Sequence, residues 1–166
     1  MDKSGSLQEF LTAGLHDVYY SEKALKKCLA ALSIASFTDE LKRALAAPST
    51  EVEAHVSRLE LIFKFQKIKI TKGKDPVADA LAVKAGELIR KNEPGTIQRD
   101  VAIIYCAQLM VYHKIAAYQV LLALAQEMEL QEMATLLEQC LAEDKNTAAY
   151  LTQIAGNIVN PAAQRA

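Results

Sequence analysis

The residues best placed to do chemistry are Glu22, Glu51, His55, Lys114 and Asp144. Each lies near the midpoint of a long segment with apolar residues at helical spacing, or close beside its stripe. Carboxylates and an imidazole are donors for iron, manganese or zinc. Buried without a partner or an ion, the same groups are costly. Glu51 and His55 are four apart, so they project from one helix face, one turn apart. If the segments are matched helices in one antiparallel bundle, their midpoints coincide and these groups meet in one buried layer. A two-metal carboxylate centre in such a bundle needs four acids, with a Glu-x-x-His-type pair on each of two helices. This chain does not supply that set at those places. Lys114 offers another solution. Its ammonium has three donors and a stem long enough to reach inward from a flanking position. It would neutralise Glu22, Glu51 and Asp144 and repel a divalent ion.

The elements that must position these groups read as helices throughout. Ser6-Leu7-Gln8-Glu9 has the form of a capping box, followed by Leu11, Leu15, Val18, Leu25, Leu29 and Leu32 at three-and-four spacing. Glu22 falls within that stripe. A second helix, capped by Thr38, carries Leu41, Leu45, Val52, His55 or Val56, Leu59, Ile62 and Phe63. Pro48 interrupts it, and a kinked, nearly continuous helix to about Ile70 is expected. Asp75-Pro76 opens a short helix to about Lys91. Asn92-Glu93-Pro94-Gly95 breaks the chain, and Thr96 caps a third long helix ending near Met128. The last helix starts near Leu130 and carries Met133, Leu137, Cys140, Asp144, Thr147, Leu151, Ile154 and Ile158, with Pro161 beyond its end. No strand-like alternation appears. A short helix between the second and third long ones can carry the chain from one end of a bundle to the other. The expected fold is therefore an all-α, ferritin-like four-helix bundle with one long crossover carrying a short fifth helix. It forms a single domain over 1–166, with flexible ends at 1–5 and 160–166.

Three segments carry a family resemblance: Tyr19-Tyr20-Ser21-Glu22-Lys23-Ala24-Leu25, the run from Glu51 to Glu60, and Glu143-Asp144-Lys145 with Leu151-Thr152-Gln153-Ile154-Ala155. In order and spacing they resemble the YciE/YciF-type ferritin-like proteins over almost the whole chain. The resemblance implies a ferritin-like bundle, often dimeric, associated with bacterial stress responses. It puts Glu22, Glu51 and His55 on positions of the family's metal centre. The third helix departs from the family pattern. Where the family carries a Glu-His-Tyr-Glu-like run, this chain has Val111-Tyr112-His113-Lys114. On the fourth helix Asp144 is kept, but the later acidic position is Ala148. A degenerate di-iron site is the consequence.

Composition bounds the rest. A net charge of −1 gives no electrostatic case for nucleic acid or an anionic membrane surface. No unbroken apolar run has the ~18 residues of a membrane span, and Met1 to Ser6 carry no apolar signal core. A cytoplasmic protein is expected. Cys28, Cys106 and Cys140 read as small buried hydrophobes rather than as a redox or metal set. His113 is expected to face outward or a dimer contact, His16 the surface, and Glu143 a boundary. The tyrosines at 19, 20, 105, 112 and 118 read mostly as core or interface residues. The basic cluster Lys67, Lys69, Lys72 and Lys74 reads as a solvated helix end. The leading expectation is a homodimeric, stress-associated protein with a structural or interaction role, no catalytic residues and no cofactor. The alternative is an oxidoreductase acting on peroxide or oxygen, with iron or manganese held by Glu22, Glu51, His55 and Asp144. A helix-bundle adaptor is a weaker third reading.

Overall fold

The computed structural model describes residues 3–163, and within them the chain forms five helices and no strand. They are α1 (Lys3–Ala35), α2 (Asp39–Phe65), α3 (Pro76–Lys91), α4 (Ile97–Glu127) and α5 (Gln131–Ala163). Helix α1 packs on α2 and α4, and α5 packs on α4 and α2. Side-chain pairs fix the directions. His55 meets Glu22 and Tyr19 meets Glu60. Thr147 meets Glu51, and Arg58 meets Glu143. Lys114 meets Glu22, and Gly14 faces Leu121. In each pair of neighbours one number rises as the other falls, so all adjacent core helices are antiparallel. Diagonal partners α2 and α4 therefore run the same way. The link between them must travel the length of the bundle, and α3 does this along α1 and α4. This is the one-crossover ferritin-like arrangement.

The apolar stripe of α1 is buried as its spacing requires: Leu11, Leu15, Val18, Leu25, Leu29 and Leu32 are all in the core. Helix α4 behaves differently. Three helices cover it, so burial is not confined to one stripe and takes in Ile103, Ile104, Cys106, Ala107, Met110, Val111, Lys114, Ile115, Tyr118 and Leu121. It is long and apolar enough by length and composition to cross a membrane, yet half of its most apolar window is buried among its neighbours.

Helix ends account for the other differences. Helix α1 already includes Lys3 to Gly5, so Ser6 lies inside it rather than capping it. Helix α5 runs through Pro161 to Ala163. The ends expected to be flexible are thus partly helical; residues 1–2 and 164–166 lie outside the described residues. Helix α2 passes Pro48 without a break, losing one backbone donor there. It stops at Phe65, short of Ile70, because Lys67 adopts a left-handed conformation (φ 54°). Lys67 N then donates to Lys64 O and Ile68 N to Phe63 O, the paired bonds of a Schellman turn. Glu129 (φ 57°) closes α4 in the same way, with Leu130 N donating to Ala125 O. Neither turn uses glycine, so the sequence gives little sign of them. At the α2 start, Thr38 makes no capping bond. The wholly buried Asp100 carboxylate instead accepts from Phe37 N (2.6 Å) and Thr38 N (2.9 Å), tying the α1–α2 turn to α4. Asp75 and Thr96 cap α3 and α4 as expected, accepting from Val77 N and Arg99 N respectively.

Candidate functional site

Four of the five residues singled out by spacing converge. Glu22 and His55 are 0% exposed, Asp144 2% and Lys114 3%, and each comes from a different core helix. The Lys114 ammonium donates to Asp144 Oδ1 at 2.8 Å and to the two Glu22 oxygens at 3.2 and 3.4 Å. Glu22 Oε1 also accepts from His55 Nδ1 at 2.8 Å and from the Tyr118 hydroxyl at 2.7 Å. Tyr118 follows Lys114 by one turn of α4, which brings both donors to the same carboxylate.

Glu51 does not join them. Its Oε2 accepts from Thr147 Oγ1 at 3.0 Å, near Pro48 and Tyr150. The reason is the antiparallel packing of α2 on α5: one turn back from His55 lies opposite one turn on from Asp144. The expectation that Glu51 belongs to the central set is corrected. The place is taken by Glu143, expected at a boundary. Its Oε2 accepts from His55 Nε2 at 2.9 Å, and its two oxygens take a forked pair of bonds from Arg58 at 2.7 and 2.8 Å. Arg58 stands three after His55, and that basic residue beside the imidazole was the available signal for an acid opposite it.

The electrostatics follow from this wiring. Both ring nitrogens of His55 face carboxylates, which only accept, so the ring is held as an imidazolium. Burial opposes that charge, but the hydrogen bond and charge of Glu22 outweigh it and raise the His55 pKa above its ordinary value. Burial likewise opposes the charge of Glu22. The Lys114 cation and the bonds from His55 and Tyr118 overcome it and hold the carboxyl below its usual value. Burial would lower the Lys114 pKa, yet Glu22 and Asp144 raise it. Asp144 goes the other way: burial pushes its carboxyl up to about 6 despite Lys114. The contrast has a visible cause. Glu22 receives bonds from three residues, while Asp144 receives one and its Oδ2 has no partner among the described residues. Glu143 is lowered chiefly by Arg58. Burial and the Glu22 charge keep the Tyr118 phenol well above its normal pKa. Three anions, Glu22, Asp144 and Glu143, thus face three cations, Lys114, His55 and Arg58.

Glu22, His55 and Asp144 each offer a ligand atom within 4.8 Å of the others, the one such grouping among the described residues. For a two-metal centre the fit fails on donor chemistry. Lys114 and Tyr118 present donors to Glu22, both nitrogens of His55 are used, and Ala148 offers no ligand.

The remaining candidates lie elsewhere. His113 is part-buried, with Nε2 2.5 Å from Asp75 Oδ2, which also accepts from the buried Ser21 hydroxyl. It does not face freely outward as expected. His16 is half-buried rather than on the surface: it packs on Phe63 (ring centroids 4.9 Å apart), and its Nδ1 and Nε2 meet Thr12 O and Lys69 O. Tyr105 and Tyr112 are exposed, and Tyr19 is in the core. Cys106 and Cys140 are buried and Cys28 half-buried, all as free thiols. Burial raises the Cys28 and Cys140 thiols to about 11, which suits packing rather than nucleophilic chemistry.

Comparison with known proteins agrees with this architecture. The family model for a domain of unknown function, DUF892, matches residues 6–164. Protein YciF of Escherichia coli strain K12 is 32% identical over 151 residues, which is 90% of either chain. The crystal structure of the E. coli stress protein YciF superposes with a TM-score of 0.89 at 30% identity, covering 96% of this chain and 99% of that one. YcfI of Rhodopseudomonas palustris, provisionally described as a structural protein, gives 0.84 at 27% identity over 88% and 92%.

Proposed function

The chain belongs to the DUF892 family, and from that premise we propose a non-catalytic, stress-associated structural protein whose bundle centre is closed by its own charges. One observation carries this reading: the Lys114 ammonium lies 2.8–3.4 Å from oxygens of both Glu22 and Asp144, among groups that metal ions would otherwise hold together. A fixed cation there opposes a divalent ion and leaves fewer free lone pairs to bind it. The near-complete burial of these side chains also denies a substrate direct contact with them. The likeness to YciF, a stress protein, and to YcfI supports the stress-associated and structural parts. We place the protein in the cytoplasm as a homodimer, without nucleic-acid or membrane partners.

A second reading, an iron or manganese oxidoreductase acting on peroxide or oxygen, has a specific observation in its favour. Glu22, His55 and Asp144 converge, and Asp144 Oδ2 is buried without a partner. Anaerobic iron(II) titration of the metal-free protein, followed by air, separates the two. The first reading expects no tight uptake and no new absorption. Stoichiometric uptake with a charge-transfer band on exposure to air would establish the second.

A further inference from the structure

The helices that carry the central charges also wall a cavity of about 380 Å³ on their outer side, below the start of α3. That is within the ~300–1,000 Å³ usual for small-molecule pockets. Its walls are largely apolar, with Phe10 and Val18 from α1 and Val120 and Leu121 from α4. Gly14 keeps one wall thin: a β-carbon there would stand 2.7 Å from Leu121 Cδ2. Moving along the antiparallel pair, the apolar end gives way to a polar one, lined by Asp17, Ser21, Asp75 and His113.

The N-terminus of α3 would attract an anion, but Asp75 already fills that place. Its Oδ1 accepts from Val77 N at 2.9 Å and Ala78 N at 3.2 Å, and its Oδ2 meets Ser21 and His113. Asp17 takes no part in these bonds; it is exposed and lines the same cavity. If His113 is charged it balances Asp75, and if neutral it balances nothing. In both cases the polar end keeps net negative charge, centred on Asp17. Partial burial and the Asp75 charge raise the Asp17 carboxyl above its ordinary value, outweighing the opposite pull of His16 and His113.

We propose that this cavity binds a small aliphatic ammonium compound, its chain against Phe10, Val18 and Leu121 and its ammonium on Asp17. The binding is independent of the central charge layer, which faces the opposite side of α1 and α4. Titration of the full chain with n-octylamine, n-octanol and n-octanoate, followed by backbone amide NMR, tests it. n-Octylamine is expected to bind tightest, with shifts concentrated at residues 10–21, 75–78 and 113–121. Asp17→Asn, an exposed change that should leave the fold intact, is expected to weaken n-octylamine about threefold to fivefold, the reach of a partly exposed ion pair. The same change should leave n-octanol unaltered. Ala116→Phe is expected to block all three probes. Equal affinities, tighter n-octanoate, shifts centred elsewhere or no shift up to the solubility limit would each overturn the proposal.

Discussion

Ser21 and Glu22 are neighbours in the chain, as are His113 and Lys114, yet the two pairs build opposite environments. A step of one residue turns a helix side chain by about 100°. Glu22 and Lys114 thereby face the bundle axis, where every strong charge has a counter-charge and water is excluded. Ser21 and His113 face α3, where Asp75 is shared between a helix cap and their side chains and an open cavity begins. The inner cluster is closed and internally neutral. The outer one is half-open and carries excess negative charge. The same two helices thus supply a structural seal on one side and a place for a visitor on the other.

The sharpest test of that contrast is a pair of substitutions at adjacent positions. Lys114→Met leaves Glu22 and Asp144 buried without their cation, and such a loss costs on the order of 3–5 kcal/mol. Urea unfolding at neutral pH should show it as a large fall in midpoint. His113→Ala removes one bond from an Asp75 that keeps its helix-capping bonds and Ser21, so about 1 kcal/mol is expected. Equal losses would erase the distinction between the two clusters.

A smaller effect depends on pH. His55 has a raised pKa in the folded state, so its contribution is complete below the unfolded value of 6.5 and is lost as pH rises through the folded value. The stability difference between the parent and His55→Gln should therefore shrink as pH climbs above 6.5. Asp144 acts lower. It keeps its proton to about 6 when folded against 3.8 when unfolded, so its contribution falls between those values and is flat beyond them. A difference that stays flat above pH 6.5 would mean that the imidazole is held neutral.

Periodicity made much of the inner layer legible, because Glu22, His55 and Asp144 interrupt apolar stripes at matching depth. Lys114 was reached by a different route, its long stem extending inward from beside a stripe. Glu51 was misplaced because four-residue spacing gives a shared face but not a shared level. The level depends on antiparallel register, which put Thr147 opposite it. Glu143 was missed because its side chain is one-third exposed and its role comes from Arg58 and His55 on another helix. The bundle itself was readable from helix lengths and the single short segment between α2 and α4. Its turns were less so, since Lys67 and Glu129 adopt left-handed conformations that the sequence does not advertise. The Ser21–Asp75–His113 cluster was hidden for a related reason: Asp75 was legible as a cap, but only the path of the crossover brings it beside α1 and α4.

Crystals grown with excess iron(II) or manganese(II), measured at the absorption edge of the metal, probe the bundle centre directly. The expected map has no anomalous peak between Glu22, His55 and Asp144, and it shows the Lys114 nitrogen bonded to both carboxylates. Well-occupied peaks at that point, with Lys114 swung away, would contradict a centre neutralised from within.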